Sequence, residues 1–191
     1  MTKIYFVRHA EPIHSWKDDR SRPLSPVGVK DSEEVTAFFN DIAIDVFISS
    51  PYKRSMDTIS GSAVLLSMQI ITDERLRERQ SGVGIHNHEM IRRRWADFDF
   101  CEQDGETLRS TQKRNMEVVF EIISMYQDKC VVVGTHGTAL STILNYYNSA
   151  YNYDSFIRII DYMPYIIRLD FSGVDFLEKE ELLIIKKDFN I

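Results

Sequence analysis

The chain has few of the features that mark disulfide-rich, membrane-spanning or secreted proteins. Its 191 residues include two cysteines, Cys101 and Cys130. Because Cys130 adjoins a predicted core strand, we expect two free thiols and no disulfide framework. No apolar run approaches the ~18 consecutive residues of a membrane span. The first residues lead directly into a predicted strand, without room for the apolar region of a signal peptide. We therefore expect a cytoplasmic protein with no membrane partner.

Basic residues are fewer than acidic residues. The 23 lysines and arginines are outnumbered by 29 aspartates and glutamates, which gives a formal net charge of −6. Proteins that bind nucleic acids present an extended basic face, so no nucleic-acid partner is expected. An anionic ligand would have to be attracted by a local positive pocket. The length and the ordinary composition predict a single globular domain, residues 1–191, with no repeat or linker.

Strands and helices alternate along the chain. The predicted strands lie near residues 3–8, 45–49, 69–72 and 130–134, and the predicted helices near 26–41, 52–67, 105–127 and 137–148. This order predicts an α/β fold, a three-layer α/β/α sandwich around a mostly parallel sheet. Residues 165–169 and 182–185 resemble strands on either side of a turn at Ser172 and Gly173. They predict an antiparallel edge at the C-terminus.

The first predicted strand ends in an Arg-His pair. Residues 4–7 form a short apolar run typical of a buried strand, and Arg8 and His9 follow it at once. In open α/β sheets, ligands bind at the carboxyl ends of such strands. The pair therefore suggests phosphate chemistry. Taken alone, an Arg beside a His at a strand end is more often a surface polar group or part of a capped turn.

A second histidine has the same kind of position. His136 lies between the predicted strand at 130–134 and the helix that follows it. If the two strands are parallel neighbours, their carboxyl ends meet at one crevice. We therefore expect His136 and His9 to face a common pocket.

A third strand end carries Arg54. The run at 46–48 leads to Ser50 and Pro51, and Ser50 is expected to cap a helix whose first residue is Pro51. Arg54 then lies in the first helical turn, where the helix dipole disfavours a cation unless a bound anion compensates it. A solvated arginine on an exposed turn is the alternative.

With these spacings the chain resembles the histidine phosphatase superfamily, which also contains the cofactor-dependent phosphoglycerate mutases. The matched motifs are RHG at Arg8, His9 and Ala10; LTxxGxxQA at Leu24, Ser25 and Gly28; SSPxxRAxQT at Ser49, Ser50, Pro51, Arg54 and Thr58; LxExxxG at Leu76, Glu78 and Gly82; GES at Gly105, Glu106 and Thr107; and SHG at Thr135, His136 and Gly137. The chain departs from the family at Ser15, where an Asn that contacts phosphate is frequent, and in the segment that follows Gly82.

The residue types themselves fit phosphoryl transfer. A phosphomonoester carries about two negative charges that repel a nucleophile, and the guanidinium forks of Arg8 and Arg54 can neutralise its oxygens. A neutral imidazole is a competent nucleophile near pH 7, because its unperturbed pKa is about 6.5. We expect His9 to become a phosphohistidine, while His136 holds the phosphoryl group, best as a cation.

Glu78 is the candidate proton donor. A partly desolvated carboxyl group beside a phosphate dianion holds its proton more tightly, so it can act first as an acid and later as the base that activates water. The alternative is that Glu78 only pairs with Arg75 or Arg79 in an exposed charged stretch. Backbone N–H groups at the helix start near Gly137, and the Ser15 side chain, complete the expected phosphate contacts.

Other polar residues have less specific patterns. His14, His86 and His88 lack the cysteine or carboxylate partners of a zinc site, so no metal and no cofactor is expected. Glu11 is left without a role.

The segment around residues 80–104 is predicted to be a cap-like insert. It contains Arg92, Arg93 and Arg94, which most often would form a solvated helix face. Their functional interpretation is a cap over the pocket that attracts the rest of an anionic substrate.

The resemblance implies a phosphatase that hydrolyses a small phosphomonoester through a phosphohistidine. A phosphoglycerate mutase is the alternative within the enzyme class, but the chain is short and lacks that branch's longer insert between Glu78 and Gly105. A catalytically idle phospholigand-binding or regulatory protein is the alternative outside it. The presence of both histidines, both arginines and Glu78 favours an enzyme.

Overall fold

The structure is a computed structural model that describes residues 1–84 and 87–188. Its elements, in chain order, are β1 (Thr2–Arg8), α1 (Pro26–Phe39), β2 (Val46–Ser49), α2 (Lys53–Leu65), β3 (Ile70–Thr72), a 3₁₀ helix (Glu74–Leu76), α3 (His88–Ala96), α4 (Leu108–Met125), β4 (Cys130–Thr135), α5 (Gly137–Tyr147), α6 (Tyr153–Arg158), β5 (Tyr162–Ser172) and β6 (Asp175–Lys186).

The strands form one six-stranded sheet in the order β3-β2-β4-β1-β5-β6. The first four of these are mutually parallel, whereas β5 runs antiparallel to β1 and β6 antiparallel to β5. The predicted α/β sandwich with a mostly parallel sheet is confirmed. The antiparallel C-terminal strands are confirmed as well, and both are longer than the pattern predicts.

Helices cover both faces of the sheet, which explains why its central strands are apolar without alternation. In β1, Ile4 and Phe6 point into a core shared with α4 and α5, and Tyr5 and Val7 point into a second core shared with α1 and α2. Alternate residues of one strand therefore serve opposite layers. The polar residues that follow the strands are left at the carboxyl edge of the sheet.

Helix α2 begins later than predicted. Tyr52 is its N-cap and provides no side-chain capping bond, and Ser50 lies outside the helix. The Ser50 hydroxyl pairs with the His136 ring at 2.8 Å and accepts from Tyr52 N at 3.3 Å, ahead of the helix. The predicted cap at Ser50 and the helix start at Pro51 are therefore wrong, because the helix begins only at Lys53.

Two short helices, α3 and α6, lie outside the predicted set. Helix α3 is capped by the Asn87 side chain, which accepts a hydrogen bond from Met90 N at 2.9 Å, and buries Ile91 and Trp95 one turn apart.

Cys101 and Cys130 are unpaired. Within residues 1–84 and 87–188, no helix combines the length and apolar character needed to cross a membrane.

Candidate active site

Three neighbouring strand ends bring the polar residues together. Strand β4 lies between β1 and β2, with Arg8 opposite Thr135 and Ser49 opposite Gly134. His9 directly follows β1 and His136 directly follows β4, and their ring centroids are 5.2 Å apart. The convergence expected from the sequence is therefore present in the structure.

His9 is held in one tautomer. Its Nδ1 lies 2.8 Å from the carbonyl oxygen of Ala10, and Arg54 Nε donates to its Nε2 at 3.1 Å. A carbonyl only accepts and a guanidinium only donates, so Nδ1 carries the proton and Nε2 carries the lone pair. Burial, and then the charges of Arg54 and Arg8, lower the pKa of His9 well below its usual value. The ring is therefore neutral at pH 7.

His136 is completely buried beneath this site. Its Nε2 pairs with the Ser50 hydroxyl, and the Tyr52 ring packs edge-on against it at 5.2 Å. Its Nδ1 has no hydrogen-bond partner among the described residues. Burial, followed by the charge of Arg54, lowers the pKa of His136 well below its usual value. The expected cationic form is thus disfavoured, because the ring is buried and positively charged guanidiniums already lie nearby.

Arg8 is anchored beneath the cavity by carbonyl groups at the end of α6. Its Nη1 and Nη2 donate to the oxygens of Ile159 and Ile160, while its Nε has no partner among the described residues. Burial lowers the pKa of Arg8 to about 10, so the group stays charged at pH 7. Gly137 packs against it, and a Cβ at that position would lie 3.2 Å from the guanidinium carbon.

Arg54 is oriented by a residue that the sequence analysis missed. Its Nη1 donates to the backbone oxygen of Asp19 at 2.6 Å and forms an ion pair with the Asp19 carboxylate at 3.1 Å. Burial lowers the pKa of Arg54, and Asp19 partly offsets this effect. Asp19 lies in an irregular loop, where no periodic pattern points to a role.

Glu78 lies at the N-terminus of α5. Its carboxylate accepts hydrogen bonds from Thr138 N at 2.9 Å and Ala139 N at 3.0 Å, as well as from Arg79 N. The alternative ion pairs do not explain its position, because Arg75 pairs with Asp73 and Glu121. The helix N-terminus that was expected to bind phosphate thus holds Glu78 in this structure.

Arg8, His9, Arg54 and Glu78 line a cavity of about 250 Å³, whereas His136 and Gly137 are not among its lining residues. The cavity wall carries the guanidiniums of Arg8, Arg22, Arg54, Arg79 and Arg94 and the carboxylates of Asp19 and Glu78. Ser15 is exposed and is not among the residues that line the cavity. No feature of the isolated sequence distinguished Arg22 and Arg79.

Of the other three histidines, His14 and His88 do not lie together. His14 lines the cavity, whereas His88 begins α3 and pairs with the Tyr153 hydroxyl. His86 lies outside the described residues. In the part of the chain that is described, no cluster of three or more metal-ligating side chains is found.

The run of three arginines on α3 divides between two environments. Arg92 and Arg93 are exposed, as a solvated helix face predicts, whereas Arg94 is buried at the cavity wall.

Comparison with protein families agrees with this geometry. The model of the histidine phosphatase superfamily (branch 1) matches residues 4–171, a range that contains both histidines, both strand-end arginines and Glu78. The chain belongs to this superfamily. The resemblance stated from the motifs is confirmed.

The sequences of two relatives align with more than two thirds of this chain. An uncharacterised phosphatase PhoE of Bacillus subtilis is 25% identical over 150 residues, which cover 75% of this chain and 76% of the relative. Phosphoserine phosphatase 1 of Hydrogenobacter thermophilus is 28% identical over 152 residues, 71% of each chain.

A solved structure shows the same fold. The phosphoserine phosphatase of Entamoeba histolytica, in complex with 3-phosphoglyceric acid, superimposes with a TM-score of 0.73 at 18% identity. The superposition covers 93% of this chain and 98% of the other.

Proposed function

We propose that this histidine phosphatase superfamily member hydrolyses a small phosphomonoester through a phosphohistidine on His9. The observation that carries the proposal is the fixed tautomer of His9. Its protonated Nδ1 is bonded to a backbone carbonyl, and its Nε2 lone pair accepts from Arg54 Nε beside the cavity that His9 lines. When a phosphoryl oxygen takes over the Arg54 donor, the lone pair of the neutral imidazole is released to attack phosphorus. The names of the phosphatase relatives support the same chemistry.

In the first step His9 Nε2 forms a bond to phosphorus as the bond from phosphorus to the ester oxygen breaks. Arg8 and Arg54 bind the non-bridging oxygens, and His136 donates or shares a proton with one of them. Arg8 Nε and His136 Nδ1, both buried and without partners among the described residues, are the donor positions that the phosphoryl group would engage.

The leaving oxygen takes a proton from Glu78 in this proposal. In the second step, Glu78 accepts a proton from a water molecule as the water oxygen attacks phosphorus and His9 leaves. The product is inorganic phosphate, and both residues return to their starting states. A phosphate dianion at this helix N-terminus would repel the Glu78 carboxylate and displace it from the backbone N–H groups of α5, which then become available to the phosphoryl oxygens.

The test is to trap the intermediate. Quenching in alkaline detergent after mixing with a ³²P-labelled ester should leave label that is base-stable and acid-labile, and His9→Ala should carry none. Glu78→Gln should slow the hydrolysis of alkyl phosphates far more than that of p-nitrophenyl phosphate, whose leaving group needs no proton. Label on a residue other than His9, or equal effects of Glu78→Gln on both esters, would contradict the assigned roles.

The same preparation separates the alternative functions. Rapid isomerisation of 3-phosphoglycerate in the presence of 2,3-bisphosphoglycerate, without release of phosphate, would show a mutase. Binding of phosphate esters with neither label nor turnover would show a phospholigand-binding protein.

A further inference from the structure

The Asp19 carboxylate already places an anion on Arg54. One carboxylate oxygen forms an ion pair with Arg54 Nη1 at 3.1 Å, and the other lies 3.5 Å from Arg54 Nη2. Arg22 pairs with the first of these oxygens at 2.9 Å. Asp19, Arg22 and Arg54 all line the cavity. The carboxylate therefore contacts the guanidinium that we assign to the phosphoryl group.

The donors of Arg54 are engaged along the whole guanidinium. Nε donates to His9 Nε2 at 3.1 Å, and Nη1 donates to the Asp19 backbone oxygen at 2.6 Å in addition to its ion pair. Phosphate can use these donors only if the Asp19 carboxylate leaves or if two anions share one guanidinium. The first loses an ion pair and the second brings like charges together, so both weaken phosphate binding.

Asp19 contacts Arg54 through two groups that differ in how easily they leave. The backbone oxygen belongs to the chain itself, and its bond to Nη1 holds the guanidinium whatever the side chain does. The Asp19 side chain is 45% exposed, whereas that of Arg54 is only 4% exposed. Water can replace the guanidinium around a half-exposed carboxylate, so such an ion pair breaks easily. The carboxylate is thus the exchangeable part of the contact.

We propose that the Asp19 carboxylate competes with phosphate for Arg54 and thereby speeds the release of the phosphate product. This inference rests on the proposed phosphatase function and adds a residue that acts after the chemical steps. As the phosphate dianion leaves, the carboxylate takes its place on Arg54 Nη1. A buried cation without a partner is strongly destabilising, and the exchange spares the release step that penalty.

The competing explanation is that the carboxylate only holds Arg54 in position for phosphate. The two explanations predict opposite effects of removing the carboxylate. If Asp19 competes with phosphate, its removal strengthens phosphate binding, whereas loss of a positioning contact weakens it. The Kd of inorganic phosphate, measured by calorimetric titration at constant ionic strength, distinguishes them.

Two substitutions remove the charge in different ways. Asp19→Asn keeps the size of the side chain, and the backbone oxygen still holds Arg54. We expect the Kd of phosphate to fall about 10-fold, toward the lower end for a charge-assisted contact because the carboxylate is half exposed. Asp19→Ala should give a similar fall. Because asparagine brings an amide donor of its own, a fall confined to Asp19→Asn would assign the effect to that donor and overturn the competition.

Asp18→Asn is the matched control, since it removes the same charge from the neighbouring position. Asp18 is exposed, accepts from Ser21 N at 2.8 Å, and is not among the residues that line the cavity. Its substitution should leave the Kd of phosphate within about twofold of the wild-type value, because exposed charges are screened by salt. An equal fall in this variant would make net charge the cause and reject the competition at Arg54.

The dissociation rate of phosphate tests the role in release. Protein loaded with phosphate is mixed with a fluorescent phosphate sensor, and the rise of the signal is followed in time. Dissociation should be about 10-fold slower from Asp19→Asn and Asp19→Ala than from the wild type, because affinity differences within one site appear mainly in the dissociation rate. A lower Kd with an unchanged dissociation rate would overturn the role in release.

The outcomes separate this inference from the function on which it rests. A Kd of phosphate that rises or stays the same in both Asp19 variants overturns the inference and leaves the phosphatase proposal intact. If the wild type hydrolyses no phosphomonoester while the Kd falls as expected, the phosphatase proposal fails and the competition at Arg54 stands. If neither the wild type nor the variants bind phosphate, both proposals fail.

Discussion

Two buried histidines beside two buried arginines define the site at the scale of single residues. Burial first, and then the charge of the neighbouring guanidiniums, makes it harder for these rings to acquire a proton, so His9 and His136 are neutral. Neutrality suits His9 as the proposed nucleophile, which needs its lone pair. As a consequence, these two rings bind protons less readily in the folded chain than in the unfolded chain.

This difference in proton binding predicts that the fold loses stability in acid. Below about pH 6.5 the unfolded chain protonates both histidines, whereas the folded chain does not. The free energy of unfolding should therefore fall as the pH falls below 6.5, by about 1.4 kcal/mol per histidine for each pH unit. Denaturant titrations at pH 7.5 and pH 5 measure this fall. It should shrink in His9→Asn/His136→Asn and persist in His88→Asn, which changes an exposed histidine. An unchanged fall in the double variant would contradict the low pKa values.

At the scale of elements, helix α4 fixes the segment that carries Glu78. Arg114 of α4 donates to the backbone oxygens of Arg75 and Arg77 at 2.6 Å and to that of Glu78 at 3.1 Å. Its guanidinium is also paired with the buried Glu106 carboxylate at 2.7 Å. One side chain thereby sets the position of a segment with little regular structure.

Loss of this contact should affect both stability and catalysis. Arg114→Gln leaves the Glu106 carboxylate with the more distant Arg77, and we expect the free energy of unfolding to fall by about 3 kcal/mol. Because Glu78 loses its support, kcat for alkyl phosphates should fall more than kcat for p-nitrophenyl phosphate. Lys113→Gln, an exposed neighbour on α4, is the control. An Arg114→Gln protein with unaltered kcat on both esters would show that α4 does not position Glu78.

At the scale of the whole molecule, a chain of net charge −6 encloses a cavity with five guanidiniums at its wall. The side chains that line it come from distant parts of the sequence, and they are gathered by the order of the strands. A bound anion therefore contacts several elements at once. Binding should be reflected in the stability of the whole fold.

Inorganic phosphate should raise the Tm of the protein. At a phosphate concentration 100 times the Kd, mass action adds about 2.7 kcal/mol to the free energy of unfolding. For a chain of this size, that corresponds to a rise of roughly 5–10 °C. Thermal scans with phosphate, against chloride at equal ionic strength, measure it. Arg54→Gln should lose most of the rise. The same rise in both proteins would mean that phosphate acts on the surface and not in the cavity.

The sequence by itself determined the layers, the strand ends and the family. Apolar runs followed at once by Arg8-His9 and by Thr135-His136 specify strands that end in polar residues, and local patterns suffice because both faces of those strands are buried. Tertiary structure alone decided what each polar group contacts. Ser50 faces His136 and does not cap its helix, Asp19 holds Arg54 from an irregular loop, and one arginine of three on α3 turns inward to Glu102. The first two contacts join residues far apart in the chain and the third crosses a loop, so no local periodicity encodes them.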